Sequence, residues 1–472
     1  MSSNFAIFFF LLHRILFLHN VAAYATRHIE GVGKGGQVAS RAILAAFIVL
    51  AAMSVVFFLF RAPEVYLSTP IRISIFLGLP ATLAVSSIVV SVCRADLRWS
   101  FIASVLAAGI AIWSVEYVLH SSDAHIDFLS RQDRVESLAN SSVGIAPAFP
   151  SICSSSIMSG AEGGVLTIAE QPVIPLSGLP DTPVVWPDGQ GGTETHNSDQ
   201  FGFNNPPEAW SDTGGIVAIG DSFTYGAGVG FRAGYVDWMR RLSGGSVVNL
   251  GCGGNGPLSA FASLREYGPI LRPATTVWFF YEGNDLTKDL PREIGHPILV
   301  RYLDPAFSQG LADDPLTIRE TMQRWYEAKR SERVDQSHSA TETENGFDLQ
   351  NFIVLTSLRR RLGLSIDWPV TTEDDFVDIV GEASRFADSW DGRIVFVIVP
   401  SEQRYNTLLG AADAAFYEDR LTRRIEGLGI PVLQLSTLLS QVEDPANLYD
   451  GHFNSTGYEF VGRAVVQWLR DL

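Results

Sequence analysis

Residues 220–229 read GDSFTYGAGV. A glycine followed by Asp221, Ser222 and a run able to open a helix presents a serine at the end of the preceding apolar stretch. A serine hydroxyl is a poor nucleophile until a base takes its proton, and its own N–H at a helix start can help hold an oxyanion. The tripeptide alone also suits a plain strand-to-helix turn capped by Asp or Ser, so chemistry at Ser222 requires partners. The stretch NLGCGGNGP (249–257) is a glycine-rich turn that lets backbone N–H groups approach a ligand. YEGND (281–285) offers the Asn284 amide, and LYDGHFNSTGYEFVG (448–462) offers His452 just before a final helix. A serine, an imidazole base, an orienting carboxylate and oxyanion donors together make an acyl-transfer set.

Other polar residues receive plainer readings. Asp221 is expected to hold its turn, and Asp285 and Asp289 to cap or solvate their loop. His196, His296 and His338 read as structural or solvated residues. The Trp325–Tyr326 pair reads as helix packing before it reads as a sugar platform.

These motifs need elements to position them. Buried strands are expected at 214–220, 246–251, 275–283, 393–400 and 430–435, with helices at 232–243 and 258–267 and between the later strands. Val- and Ile-rich strands alternating with helices predict a parallel sheet covered on both faces. In such sheets the site forms at the carboxyl ends of the strands, where each motif falls. The third and fourth strands are separated by an insertion, about 286–392, with helices expected near 316–333, 350–361 and 373–390. Its position suits a cap over the site.

The order GDS, glycine block, GxND and C-terminal Asp–His resembles the SGNH (GDSL-like) hydrolases over about 214–472. NSDxxGF (197–203) and DGHxN resemble a bacterial subgroup of that family. The resemblance implies a flavodoxin-like α/β/α sandwich that cleaves or transfers ester-linked acyl groups with no metal and no cofactor. It implies Ser222 as nucleophile, His452 as general base and Asp450 as its orienting partner. It further implies an oxyanion hole from the N–H groups of Ser222 and Gly254 and the Asn284 side chain. Gly254 is favoured over Gly251 and Gly253 by its spacing from Asn249. The chain departs from the family twice. Asp450-Gly451-His452 is one residue shorter than Asp-x-x-His, which is similar to the Asp-x-His of alginate O-acetyltransferases. Asn204 stands where the subgroup has arginine.

The first 120 residues are different in kind. Residues 42–60, 73–93 and 99–119 are long apolar runs, Pro80 is placed to kink the second, and Glu116 lies near the far end of the third. Each is long enough to span a bilayer, which takes about 20 apolar residues. Residues 5–18 fit a fourth span, a signal-like segment or an interfacial helix. Residues 121–213, rich in Ser, Gly and Pro, read as a connector with short strands packing against the enzyme. Residues 1–98 hold eight Lys/Arg and three Asp/Glu, a charge of +5; taking that from the net −17 leaves −22 for the rest. The acidic remainder excludes a nucleic-acid partner. Positive-inside placement of Arg94 and Arg98 with the N-terminus delivers everything after residue 120 to the extracytoplasmic (periplasmic) side. Three cysteines, at 93, 153 and 252, give no disulfide framework and no metal spacing; a Cys153–Cys252 bridge is possible outside the cytoplasm but is not expected, because sequence alone does not show the geometry it needs.

The expected substrate is an acylated carbohydrate or lipid ester, with cell-envelope glycan acetyl esters favoured by the membrane attachment. A lipase or lysophospholipase is the enzymatic alternative. A non-catalytic glycan-binding or assembly subunit on the same scaffold is the alternative from another class.

Overall fold

The structure, a computed structural model, describes residues 34–60, 67, 69–122, 146–147, 166–168, 171–187, 193–337, 352–364 and 370–472. The 5–18 segment and Cys153 lie outside these. Two compact units emerge, Met1–Ala124 with Gly346–Ser365, and His125–Asn345 with Ile366–Leu472.

The larger unit is built on five strands, β1 (Ile216–Ile219), β2 (Val247–Asn249), β3 (Thr275–Tyr281), β4 (Arg393–Val399) and β5 (Val432–Gln434). They are all parallel, in the spatial order β2-β1-β3-β4-β5. Each lies within an expected run, and the order is that of the flavodoxin-like doubly wound sheet. Side chains alternate across a strand, so β3 feeds two cores. Trp278 and Phe280 join Phe396 and the helices Pro257–Leu271, Val370–Asp388 and Gly410–Glu426 on one face. Val277 and Phe279 join Val395, Val397 and the helices Tyr235–Ser243 and Ser455–Asp471 on the other. Two buried faces explain why these strands are continuous apolar runs, and the sequence-expected three-layer α/β/α class is what the chain adopts.

Part of the expected connector belongs to this core. Val173, Ile174, Leu176 and Phe203 pack in the same cluster as Trp278. The insertion does not behave as one cap. Leu286, Leu290, Leu299 and Tyr302 are buried in the first core, Val370–Asp388 is a covering helix of the sheet, and the helix Thr356–Leu362 falls in the other unit.

Among the described residues, that other unit contains three helices long and apolar enough to cross a membrane, within Gly35–Phe60, Pro70–Ser91 and Ala95–Leu119. The second carries a π-helical turn at Ser74–Gly78, immediately before Pro80. A proline has no N–H to return to the preceding turn, and such local widening is a usual accommodation. Arg98 is buried and donates to Ser40 Oγ at 2.9 Å and to the Cys93 carbonyl at 2.6 Å. The first helix and the turn between the other two are thereby tied at one end. Glu116 is fully buried, and its carboxylate accepts the N–H groups of Ser357 (3.0 Å) and Leu358 (2.7 Å).

Candidate active site

β1 ends at Ile219, and Gly220 follows. A Cβ there would lie 2.7 Å from the Phe279 carbonyl and 2.3 Å from Thr224 Oγ1, so only glycine lets the chain turn this close to β3. Asp221 then caps the short helix Ser222–Tyr225, accepting the Phe223 N–H at 2.9 Å. The Ser222 N–H sits at the first helical position, among the donors that a helix start leaves over. The expected turn-holding role of Asp221 is what its geometry performs.

At the other end of the chain, β6 (Tyr449–Asp450) and β7 (His452–Phe453) form a minimal antiparallel ladder pairing Asp450 with His452. Gly451 makes that turn at φ 75°, a conformation natural for glycine. The shortened Asp-Gly-His motif is therefore a one-residue turn that places the two residues directly opposite. His452 Nε2 lies 2.8 Å from Ser222 Oγ, across 230 positions of chain. For the hydroxyl to donate, the imidazole must carry its proton on Nδ1. Both partners are buried, whereas Asp450 is exposed.

The imidazole is packed by aromatic rings. The Phe223 ring centre lies 4.6 Å from it, and in turn Tyr281 lies tilted against Phe223 and Phe453 meets it edge to face. Burial pushes the His452 pKa down to about 4, which keeps the ring neutral and able to accept a proton at neutral pH.

The glycine block narrows to fewer candidates. The Gly251 N–H is taken by Asn249 Oδ1 at 2.8 Å, and its Cα faces Thr224 so closely that a Cβ would meet Thr224 Cβ at 2.6 Å. The Cys252 N–H reaches the Gly220 carbonyl at 3.3 Å. Gly253 and Gly254 then form a turn closed by Asn255 N–H to Cys252 carbonyl at 3.1 Å, with Gly254 at φ 74°. Positive φ at the third position is the type II pattern. Gly251 is thus a packing residue, and Gly254 retains its candidacy. Cys252 is disulfide-bonded and Cys93 is free, so the sequence expectation of no disulfide framework is corrected at Cys252.

Asn284 follows β3, the neighbour of β1 at the point where the strand order reverses, which is where ligands bind in such sheets. Among the described residues its enclosed Oδ1 has no hydrogen-bond partner. Behind it Asp285 caps the loop as expected, its Oδ2 accepting the Tyr281 N–H at 2.9 Å, but neither it nor Asp289 is solvated: both are buried. Burial raises Asp285, with Asp221 and Asp289 adding repulsion. Burial also raises Asp289, to about 6, against the pull of Arg292.

Several supporting residues escaped the sequence reading. Asn204, the departure from arginine, donates to the Tyr225 carbonyl at 2.8 Å. Asn205 clasps Asn249 on both backbone sides, at 2.8 and 2.7 Å, and Asn249 Nδ2 donates to the Thr224 carbonyl at 2.7 Å. The two asparagines that follow NSDxxGF thus brace the turn that carries Ser222. Arg292 and Glu293 were also missed; their only signal was the i, i+3, i+4 spacing from Asp289 on a short helix. Of the other histidines, His196 stacks on Phe231 at 3.7 Å and His296 Nδ1 accepts the Ile298 N–H at 3.3 Å. Both have the structural roles expected of them. His338 lies outside the described residues.

No protein-family model and no curated protein matches the chain. Among solved structures it is similar to a protein assigned to the lipolytic G-D-S-L family from Desulfitobacterium hafniense, at 14% identity and a TM-score of 0.31, over 54% of this chain and 99% of that one.

Proposed function

We propose that the chain is a membrane-attached serine esterase or O-acyltransferase acting on ester-linked acyl groups, acetyl foremost, of cell-envelope polysaccharide or glycan. The observation that carries this reading is the 2.8 Å contact between Ser222 Oγ and His452 Nε2 at the carboxyl edge of a parallel sheet.

In the reaction, His452 Nε2 takes the Ser222 proton as Oγ attacks the ester carbonyl carbon. The carbonyl oxygen becomes an oxyanion held by the N–H groups of Ser222 and Gly254 and by the Asn284 amide. His452 returns the proton to the leaving alcohol oxygen as the C–O bond breaks, giving an acyl-serine. Water or an acceptor hydroxyl, deprotonated by His452, then attacks and releases Ser222. Asp450 orients the imidazole through the Gly451 turn.

Two observations support an extracytoplasmic site. Disulfides persist in oxidising compartments, and Cys252 in the oxyanion loop is bonded. Arg94 and Arg98 lie at the helix end shared with the start of the first apolar helix, which suits the cytoplasmic side. The aromatic wall of Phe223 and Tyr281 beside the imidazole favours a second reading, a lysophospholipid esterase.

Hydrolysis of p-nitrophenyl acetate tests the enzyme. Activity is expected from the wild-type chain and not from Ser222→Ala, and equal rates would refute the assignment and leave the non-catalytic subunit reading. Preference for decanoyl over acetyl esters would favour the lipid substrate. Acetate appearing on an added oligosaccharide, in place of free acetate, would make the enzyme a transferase. A reporter fused at residue 125 that is active only in the cytoplasm would reject the topology.

A further inference from the structure

Both oxyanion donors outside the nucleophile helix meet one short stretch of chain. The Asn284 carbonyl accepts the N–H groups of Lys288 (2.9 Å) and Asp289 (3.0 Å), so a wide helical turn starts at Asn284 and covers Asp285–Asp289. It runs without a break into the helix Leu290–Ile294. From that helix Arg292 Nη2 donates to the Gly254 carbonyl at 2.9 Å. The same nitrogen is held by Asp289 Oδ1 at 3.1 Å. One residue on, Glu293 Oε1 accepts the Gly256 N–H at 2.7 Å and Oε2 the Leu258 N–H at 2.8 Å. Gly256 has no room for a side chain: a Cβ would meet Asp289 Cβ at 2.6 Å. The glycine turn is therefore gripped at its carbonyl by a cation and at its exit by a carboxylate, both from the segment that Asn284 begins.

We propose that Arg292 is a positioning residue for acyl transfer: with Glu293 it locks the Gly254 turn onto the Asn284–Ile294 segment, so that the Gly254 and Asn284 donors are held as one rigid piece. This inference rests on the esterase reading and adds a residue that the acyl-transfer motif does not contain. The physical ground is that an oxyanion hole works only while its donors are fixed before charge develops. A two-glycine turn has no side chain to fix it, so the rigidity must come from outside. Arg292 supplies it with a charge-assisted bond to the turn's own carbonyl. Its side chain is 29% exposed, against 3% for Asp289, so it is a bracket at the rim of the core, replaceable without opening a cavity.

The test uses the full chain in detergent, with Arg292→Met and Arg292→Gln assayed on p-nitrophenyl acetate and titrated with phenylboronic acid as a tetrahedral-adduct probe. A donor displaced by a fraction of an ångström to 1 Å costs up to about 100-fold in rate. Arg292→Met should lose roughly 10- to 100-fold in kcat with KM within twofold, and the boronate should weaken by a similar factor. Arg292→Gln, which keeps one N–H donor, should fall between. A merely structural loss would lower the amount of active enzyme and leave boronate affinity unchanged. The proposal is overturned if whichever folded variant keeps kcat and boronate affinity within twofold of wild type while Ser222→Ala is inactive. If the wild-type chain and Ser222→Ala hydrolyse the ester equally, the esterase reading itself has failed, and the proposal falls with it for that separate reason.

Discussion

Glu116 and Glu293 are both fully buried, and each receives two backbone N–H groups from the opening turn of another helix. The device is the same, a carboxylate capping a helix that lies far away in sequence. Its surroundings differ. Glu116 stands in an apolar helix and fixes the segment that includes Thr356–Leu362. Glu293 stands among other acids, held up at about 7 by burial first and Asp289 next, and fixes the loop that carries Gly254. A cap in the unit of long apolar helices anchors an element; a cap beside the candidate site holds the turn of Gly254, a proposed oxyanion donor. Damage in one unit should therefore appear as rate, and in the other as local stability.

The largest expected effect is at the dyad. Ser222→Ala or His452→Ala should lower kcat by about 10⁴ or more, since the nucleophile and base act as a unit. Stopped-flow assay for an acyl-enzyme burst checks the same point: neither variant should show one. Asn284→Ala comes next, with an expected loss of roughly 10² to 10³ in kcat at little cost in KM. A loss confined to KM would place Asn284 in substrate binding instead of the oxyanion hole.

Asp450→Asn should cost much less, about tenfold in kcat. A buried orienting carboxylate is worth about 10⁴ in the serine-protease triad. Asp450 is exposed beside a buried imidazole, and water weakens its field. Because burial dominates the ring's pKa, the acid limb of kcat/KM should lie well below the ordinary imidazole value of 6.5, toward 4, in both wild type and Asp450→Asn. A limb near 6.5 in wild type that drops in the variant would show the carboxylate setting the base strength after all.

Stability should respond to pH in the larger unit with a definite sign. Burial raises Asp199 and Asp289 from 3.8 to about 6, and Glu293 from 4.5 to about 7. Raised folded values mean that the folded state holds those protons longer, so their contribution is complete below the unfolded values and is lost as pH climbs to 6–7. His452, lowered from 6.5 to about 4, contributes fully above 6.5 and loses as pH falls through that window. Three carboxyls outweigh one imidazole, so the unit's thermal midpoint should be higher at pH about 5.5 than at about 7.5, by a few degrees. A midpoint rising steadily over that interval would show that relaxation or water relieves the buried acids.

The sheet and the placing of Ser222 and His452 at its edge were legible in the sequence because their signals are local. Five apolar runs end in polar turns, and Gly220, Asn284, Gly451 and His452 sit just past such runs or before a helix. The supporting layer was not legible, for a physical reason. Asp289 looks like a solvated loop acid until the chain folds, because its burial is decided by Gly256 packing onto it from another element. Asn204 and Asn205 are ordinary loop residues whose meaning lies in carbonyls 21 and 44 positions away. Gly251 and Gly254 belong to one glycine-rich turn; the bond from Gly251 N–H to Asn249 Oδ1, the packing of Gly251 on Thr224 and the positive φ of Gly254 separate them. The connector misled through composition, since its Ser, Gly and Pro surround Ile174, Leu176 and Phe203, which the core absorbs.

The smallest expected effect on rate closes the comparison at Glu116. Glu116→Ala removes the acceptor of two N–H groups, Ser357 at 3.0 Å and Leu358 at 2.7 Å. Bonds to a charged acceptor contribute about 1.5–3 kcal/mol each, and leaving buried donors empty costs a comparable amount. The loss should stay within the unit that contains both ends of those bonds. Amide hydrogen exchange at Ser357 and Leu358 should accelerate by about 10-fold or more, the factor that a 1.4 kcal/mol loss of protection gives. Hydrolysis of a small soluble ester should stay within twofold of wild type, because both N–H groups that Glu116 accepts lie in its own unit. Glu116→Gln, which keeps one acceptor oxygen, should sit between the two in exchange and match wild type in rate. A rate loss in Glu116→Ala comparable to that of Asn284→Ala would abolish the division between anchoring and positioning caps.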